Sequence, residues 1–191
     1  VLDGMLLPPE QWGVRCISIA YFVPEGQAVI WRGPMLHKAL EQFLTDVFWD
    51  DPDFLVVDLP PGTGDISLSL SQFLPGGNII NMSSADGIAG ANSVSVYCAT
   101  KFAVRGLTKA LALELGPRGI RVNSIMPGIF ATPLMLGAKP QVLDSLSASV
   151  PFPKRLGKPE EFASLVLELV RNTYFNGQAL RLDGGIRMAP R

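Results

Sequence analysis

Residues 78–90 read NIINMSSADGIAG, and residues 97–128 read YCATKFAVRGLTKALALELGPRGIRVNSIMPG. Together these stretches decide the fold class. Asn78–Met82 and Ile120–Ile125 are short runs with apolar, β-branched content, and each predicts a strand. Between them a long helix is expected over about Val94–Leu115, stopped by Gly116-Pro117. Pro127-Gly128 breaks the second strand. Strand, helix, strand in that order predicts parallel pairing, with the helix packed across the sheet.

The pattern continues outward in both directions. Towards the C-terminus, Pro140–Ser147 predicts a short helix. Pro159–Val170 predicts another, opened by Lys158-Pro159-Glu160-Glu161 with acidic residues in its first turn. Ala179–Leu182 predicts the last strand, ended by Asp183-Gly184-Gly185. Towards the N-terminus, Val14–Ala20 predicts a strand. Pro34 opens a helix whose apolar face is Leu36, Leu40, Phe43, Leu44 and Val47. Phe54–Leu59 is almost wholly apolar and predicts a strand buried on both faces. Pro60-Pro61-Gly62 ends it, and a short helix is expected over 65–73. The expected class is α/β: a three-layer, mostly parallel sheet of about five strands with helices on both faces, a truncated Rossmann-like arrangement.

Bulk properties narrow the function classes. The 191 residues are 48% hydrophobic and 17% charged, enough for a sizeable core and unlike a disordered tail. The formal net charge is -1 with no basic cluster, so nucleic acid is not an expected partner. No apolar run approaches the ~20 residues that span a bilayer, so no membrane partner is expected. The sequence opens Val-Leu-Asp with neither an initiator Met nor a basic stretch. That opening is expected of a fragment or processed chain without a secretory signal. Cys16 and Cys98 form no CxxC motif and are expected as free thiols in a reducing, cytoplasmic setting. Cys16 is expected in the core of its strand.

Tyr97 and Lys101 form a YxxxK pair, one helical turn apart and on one face of the long helix. A phenol alone is a poor acid–base group at neutral pH, whereas an ammonium one turn away stabilises the phenolate. Ser84 stands at the end of the strand Asn78–Met82, where its hydroxyl can hold a substrate carbonyl beside the tyrosine. A YxxxK pair by itself reads first as a partly exposed Tyr and a solvated Lys. Its company distinguishes it: the strand, the Ser84-to-Tyr97 spacing, the helix, GIRVNSI and PG follow in a fixed order.

With these features, residues 77–191 resemble the catalytic half of the short-chain dehydrogenase/reductase family. The segments PGIFATPLM, SVPFPKRLGKPEEFASLV and NGQALRLDGGIRMAP are closest to the branch acting on 3-hydroxyacyl-CoA esters, hydroxysteroids and other secondary alcohols. The resemblance implies Tyr97 as general acid–base, Lys101 as its partner and ribose ligand, and Ser84 as the carbonyl orienter. It implies NAD(H) as cofactor, with Pro127, Gly128 and Thr132 at the nicotinamide end. It places Leu134–Val150 at the substrate, where Leu134, Met135, Leu136, Val142 and Leu143 suit a fatty or steroidal small molecule; read alone they are ordinary packing. It also implies a homo-oligomer formed through the Tyr97 helix and the C-terminal segment. The family's glycine-rich turn, its NNAG segment and its helix asparagine have no counterpart in residues 1–191, and a dinucleotide's pyrophosphate therefore lacks its usual cradle.

Residues 1–76 read differently. GMLLPPEQWGVRCISIAYF, AVIWRGPMLHKALEQFLTDVFW and DFLVVDLPPGTGDISLSLSQFLP resemble Mrp-type P-loop ATPases, the iron–sulfur cluster carriers. That resemblance implies ATP–Mg as a possible ligand, with Asp58 holding Mg²⁺ through water; without its neighbours Asp58 reads as a strand-end cap. The phosphate-cradling loop of the GKGGVGKST kind and a cluster-ligating CxxC are missing from residues 1–191. His37, the sole histidine of the sequence, reads as a surface or satisfied residue and not as a ligand. The joint falls at Pro75-Gly76-Gly77, where Asn78–Met82 is expected to pair beside Phe54–Leu59 in one continuous sheet. Three functions remain open: an NAD(H)-dependent oxidoreductase, a nucleotide-binding iron–sulfur carrier fragment, and a chimera without catalysis.

Overall fold

The computed structural model describes residues 4–23, 33–59, 70, 72–74 and 76–186. It divides into two compact units, Val1–Leu74 and Pro75–Arg191.

In the second unit three parallel strands form a sheet in the order β3-β4-β5: β3 is Asn78–Met82, β4 Arg121–Pro127 and β5 Ala179–Leu182. Ile80 pairs with Asn123, and Ile125 with Leu180. Val122, Asn123, Ser124, Ile125 and Met126 are all at most 2% exposed. Since successive side chains point to opposite faces, β4 is covered on both. This is the α/β architecture expected, with the parallel part three strands wide among the described residues.

Asp86–Ala89 forms the short helix α2, and Ser95–Leu115 the long helix α3. Ala112 and Leu115 of α3 pack on Ile120 and Val122, with Ile79 and Leu111 at the margin. A polar tie joins the same elements: the Asn81 amide donates to the Thr108 hydroxyl at 3.0 Å, and that hydroxyl donates to the Val104 carbonyl at 2.8 Å. Thr108 is fully buried, so this pairing satisfies groups that water cannot reach. Beyond β4 follow α4 (Pro133–Leu136), α5 (Pro140–Ser149) and α6 (Pro159–Arg171). Each opens on a proline, whose missing N–H would have no helical partner there.

Arg121 closes the far end of α6. Its guanidinium donates to the carbonyls of Leu169, Val170, Asn172 and Phe175 at 2.7 to 3.1 Å. The last helical carbonyls, otherwise orphaned, thus meet a cation that also suits the negative end of the helix dipole. Desolvation lowers the Arg121 pKa from its ordinary value.

The first unit departs from its expected strands. Instead of one strand over Val14–Ala20, Glu10–Gln11 (β1) and Val14–Arg15 (β2) form an antiparallel hairpin. Trp12 and Gly13 both have positive φ, +54° and +73°, the geometry of a two-residue hairpin turn. The chain then turns into a 3₁₀ helix over Ile19–Phe22, capped by the Ser18 hydroxyl, which accepts from the Ala20 N–H. Cys16 is consequently exposed rather than in a core, and accepts a long 3.7 Å hydrogen bond from the Tyr21 hydroxyl.

Helix α1, Gly33–Thr45, packs Leu40 against Ile19, Leu44, Leu59, Leu70 and Phe73. Residues 54–59 form no strand, and Phe54 and Val56 are 59% and 89% exposed. A strand needs a neighbour for its backbone groups, and among the described residues none pairs there. The expected strand Phe54–Leu59 is therefore not formed, and within the second unit β3 pairs with β4. Of the helix expected over 65–73, Leu70, Gln72 and Phe73 are helical and most of the rest lies outside the described residues.

Candidate active site

The β3–β4 ladder does not stop at Met82. Ser83 N–H donates to the Ile125 carbonyl at 2.9 Å, and Ala85 N–H to the Pro127 carbonyl at 3.1 Å. Ser84 is therefore fixed at the end of a strand, between two bonds to the central strand. Its side chain is buried, and its oxygen accepts from the Asp86 N–H at 3.2 Å. With that side of the oxygen occupied, the hydroxyl proton is free to donate.

Tyr97 and Lys101 lie on the first turns of α3. The Lys101 ammonium stands 5.5 Å from the centroid of the Tyr97 ring and donates to the Met82 carbonyl at 2.9 Å. Tyr97 is 45% exposed, so its ring is open to a ligand. Lys101 thus stands beside the tyrosine, its expected neighbour, and also bonds the end of β3, a contact not expected from the sequence.

Other expected site residues take more structural parts. Pro127 ends β4, and its carbonyl receives Ala85. Gly128 continues the ladder to β5, donating to the Leu182 carbonyl at 2.9 Å. A Cβ on Gly128 would stand 2.8 Å from the Asp183 Cα, so only glycine fits. Thr132 caps α4, its hydroxyl accepting from the Met135 N–H at 3.3 Å. Leu134 is 92% exposed; Leu136 and Val142 are also exposed, while Met135 and Leu143 are half-buried.

In the first unit, Asp58 is exposed and borders an open groove of about 1490 Å³. The neighbouring 60–65 segment lies outside the described residues. Among the described residues no group of three or more His, Cys, Asp and Glu side chains could hold a metal. The His37 ring packs 5.1 Å from that of Phe73. A cavity of about 170 Å³ lined by Phe130, Val150, Gly157 and Leu182 contains none of Ser84, Tyr97 and Lys101. Among the described residues, no helix is long and apolar enough to cross a membrane.

Sequence reasoning missed the supporting residues. Ser83, 3% exposed, donates to the Lys101 carbonyl at 2.8 Å, and Arg105 donates to the Gly87 carbonyl at 2.7 Å. The doubled serine at 83–84 was the available signal: alternation along a strand turns two neighbouring hydroxyls to opposite faces, so they cannot share a task.

A parallel α/β sheet with a serine at one strand end and YxxxK on the adjoining helix is the arrangement of a short-chain dehydrogenase. A family model described as "Enoyl-(Acyl carrier protein) reductase" matches residues 67–187, and one described as "NUBPL iron-transfer P-loop NTPase" matches residues 2–122. The chain belongs to both families, to the P-loop NTPases through its front and to the reductases through its back. It is 45% identical over 114 residues to the 3-hydroxyacyl-CoA dehydrogenase type-2 of Mus musculus, covering 60% of this chain and 44% of that protein. It is 40% identical over 127 residues to an iron-sulfur cluster carrier protein of Mycobacterium leprae, covering 64% of this chain and 33% of that one. The crystal structure of 3-hydroxyacyl-CoA dehydrogenase type-2 from Mycobacterium avium matches with a TM-score of 0.59 at 39% identity. That match covers 66% of this chain and 50% of the solved one. The chain thus spans at most about half the length of these relatives.

Proposed function

We propose that the chain is an oxidoreductase of the short-chain type, moving a hydride between NAD(H) and a secondary alcohol or ketone such as a 3-hydroxyacyl-CoA or a hydroxysteroid. The observation that carries this reading is the Lys101 ammonium set between the Tyr97 ring and the strand that ends in Ser84. The names of the relatives on this side support the substrate class.

Residues at the nicotinamide end fit the cofactor. Lys101 uses one of its three N–H donors on Met82 and keeps two for a ribose hydroxyl. Thr132 receives the Met135 N–H and keeps its own proton to donate. The pyrophosphate end does not fit in the same way, because residues 1–191 contain no GxGxxG turn. The expected consequence is weak binding. When bound, the nicotinamide supplies the hydride acceptor or donor.

The protein's own residues handle the proton. Ser84 donates its free O–H to the substrate oxygen and fixes its direction. Tyr97 gives a proton to that oxygen in reduction and takes it in oxidation, and the Lys101 cation stabilises the phenolate that remains. Leu134, Leu136 and Val142 offer an apolar surface to a fatty or steroidal substrate. Association with a second copy through α3 and the C-terminal segment, and a cytoplasmic location, complete the reading.

NADH titrated by nicotinamide fluorescence, followed by reduction of acetoacetyl-CoA, tests it. Saturable binding and turnover that disappears in Tyr97→Phe are expected. Equal NADH oxidation by the wild type and Tyr97→Phe would overturn the assignment. Binding of ATP–Mg²⁺ in its place would favour the iron–sulfur carrier reading suggested by the front of the chain.

A further inference from the structure

Two neighbouring serines follow β3, and the catalytic reading uses only Ser84. Ser83 is 3% exposed, and its hydroxyl donates to the main-chain carbonyl of Lys101 at 2.8 Å. That carbonyl belongs to the turn of α3 that carries both Tyr97 and Lys101. The bond therefore runs from the residue preceding Ser84 to the helix turn bearing its two partners.

Two other features converge on the same bond. A Cβ on Gly87 would stand 2.7 Å from the Ser83 oxygen and 3.0 Å from the Lys101 carbonyl oxygen, so the glycine backbone packs directly against the pair. One turn further along α3, Arg105 donates to the Gly87 carbonyl at 2.7 Å and ties α2 to the long helix. Ser83, Gly87 and Arg105 thus form a clamp between the strand end and the helix. None of them belongs to the constellation that touches substrate or cofactor.

We propose that Ser83 is a positioning residue, whose hydroxyl sets the height of the Tyr97–Lys101 turn relative to the Ser84 hydroxyl. The inference rests on the oxidoreductase reading for its catalytic consequence, and on the hydrogen bond alone for its structural one. Packing of α3 on the sheet is provided elsewhere, by Ala112, Leu115 and the Thr108–Asn81 pair. Loss of the Ser83 bond should therefore loosen one end of the helix while the other keeps its packing. Misplacement on the order of 1 Å between reacting groups is enough to cost up to ~10²-fold in rate.

The test uses the full chain as wild type, Ser83→Ala, Ser83→Thr and Gly87→Ala, with hydrogen exchange and steady-state kinetics on each. In Ser83→Ala, amides of residues 98–105 should exchange about tenfold faster, the effect of one lost hydrogen bond, while those of 108–115 stay unchanged. The kcat should fall at least ~10-fold with KM unchanged. Ser83→Thr, which keeps the hydroxyl, should restore both, and Gly87→Ala should reproduce the Ser83→Ala pattern. Acceleration spread evenly over the whole helix, or none, would overturn the positioning role. A wild type that binds no NADH and turns nothing over would overturn the oxidoreductase reading alone, since the exchange data still decide what Ser83 does.

Discussion

The Lys101 side chain bonds the carbonyl of Met82, nineteen residues earlier in the chain, at 2.9 Å. A helix lysine thus caps a strand carbonyl while its charge sits beside the Tyr97 ring. Lys101→Met keeps the side chain's length and removes both effects. Turnover of acetoacetyl-CoA should fall about 10²-fold or more, and the thermal midpoint only slightly, because an exposed charge-assisted bond contributes little to stability. Unchanged kcat in this variant would remove Lys101 from the site.

Arg121 should matter far more for stability than for chemistry. Its guanidinium serves four carbonyls at the end of α6 and in the turn that follows. Arg121→Met should destabilise the chain by about 3 kcal/mol in urea unfolding, and Arg121→Lys should recover only part of this, because an ammonium lacks the planar fork. Equal stability of the lysine and arginine forms would contradict that geometry.

The start of α6 predicts a pH dependence. Glu161 forms a two-pronged pair with Arg155 at 2.7 and 2.9 Å and accepts from the Lys158 N–H. The Arg155 bonds first, then the Lys158 N–H, hold its carboxyl at about 2 instead of 4.5. A carboxyl whose pKa is lower in the folded state stabilises the fold above its unfolded value and loses that contribution as pH falls. The difference in thermal midpoint between wild type and Glu161→Gln should be constant above about pH 5, shrink from about pH 4.5 to about pH 2, and vanish below. A difference growing toward acid would reverse the assignment.

Gly128 faces the backbone of Asp183, where neither partner can give way. Gly128→Ala should cost about 3 kcal/mol in chemical denaturation by overpacking. Wild-type stability would mean that the Gly128 and Asp183 backbones leave more room than the 2.8 Å between an added Cβ and the Asp183 Cα allows.

Leu113 is 81% exposed on α3, on the side away from the core residues Ala112 and Leu115. If this side joins two copies, Leu113→Glu should shift sedimentation from a dimer or tetramer to the monomer. A wild-type chain already monomeric at micromolar concentration would remove the association.

The second unit was largely legible because its signals are local and agree with one another. Asn78–Met82, the long helix and Ala179–Leu182 came out within a residue or two, since the apolar spacing and the stops at Gly116-Pro117 and Asp183-Gly184 point the same way. The first unit was less so. Val14–Ala20 and Phe54–Leu59 have the composition of parallel strands, but composition records what a segment buries in a complete sheet and cannot say whether a neighbour is present. The turn at Trp12-Gly13 is not legible in the sequence, because a tryptophan at positive φ is a rare partner for glycine in a hairpin. The candidate site residues Ser84, Tyr97 and Lys101 are proposed from their motif. Of the supporting residues only Ser83 left a trace, in the doubled serine at 83–84; Gly87 and Arg105 left none, because a bond to a main-chain carbonyl leaves no pattern in residue types.

The extension of β3 past Met82 also bears on how such a chain could arise. The bonds described around Ser84, Tyr97 and Lys101 begin and end within residues 82–127: Ser83 to Ile125 and Lys101, Ala85 to Pro127, Lys101 to Met82, and Asp86 to Ser84. A recombination breakpoint near Pro75-Gly76-Gly77 severs none of them. The serine, tyrosine and lysine, together with the bonds that hold them, all lie on one side of that joint.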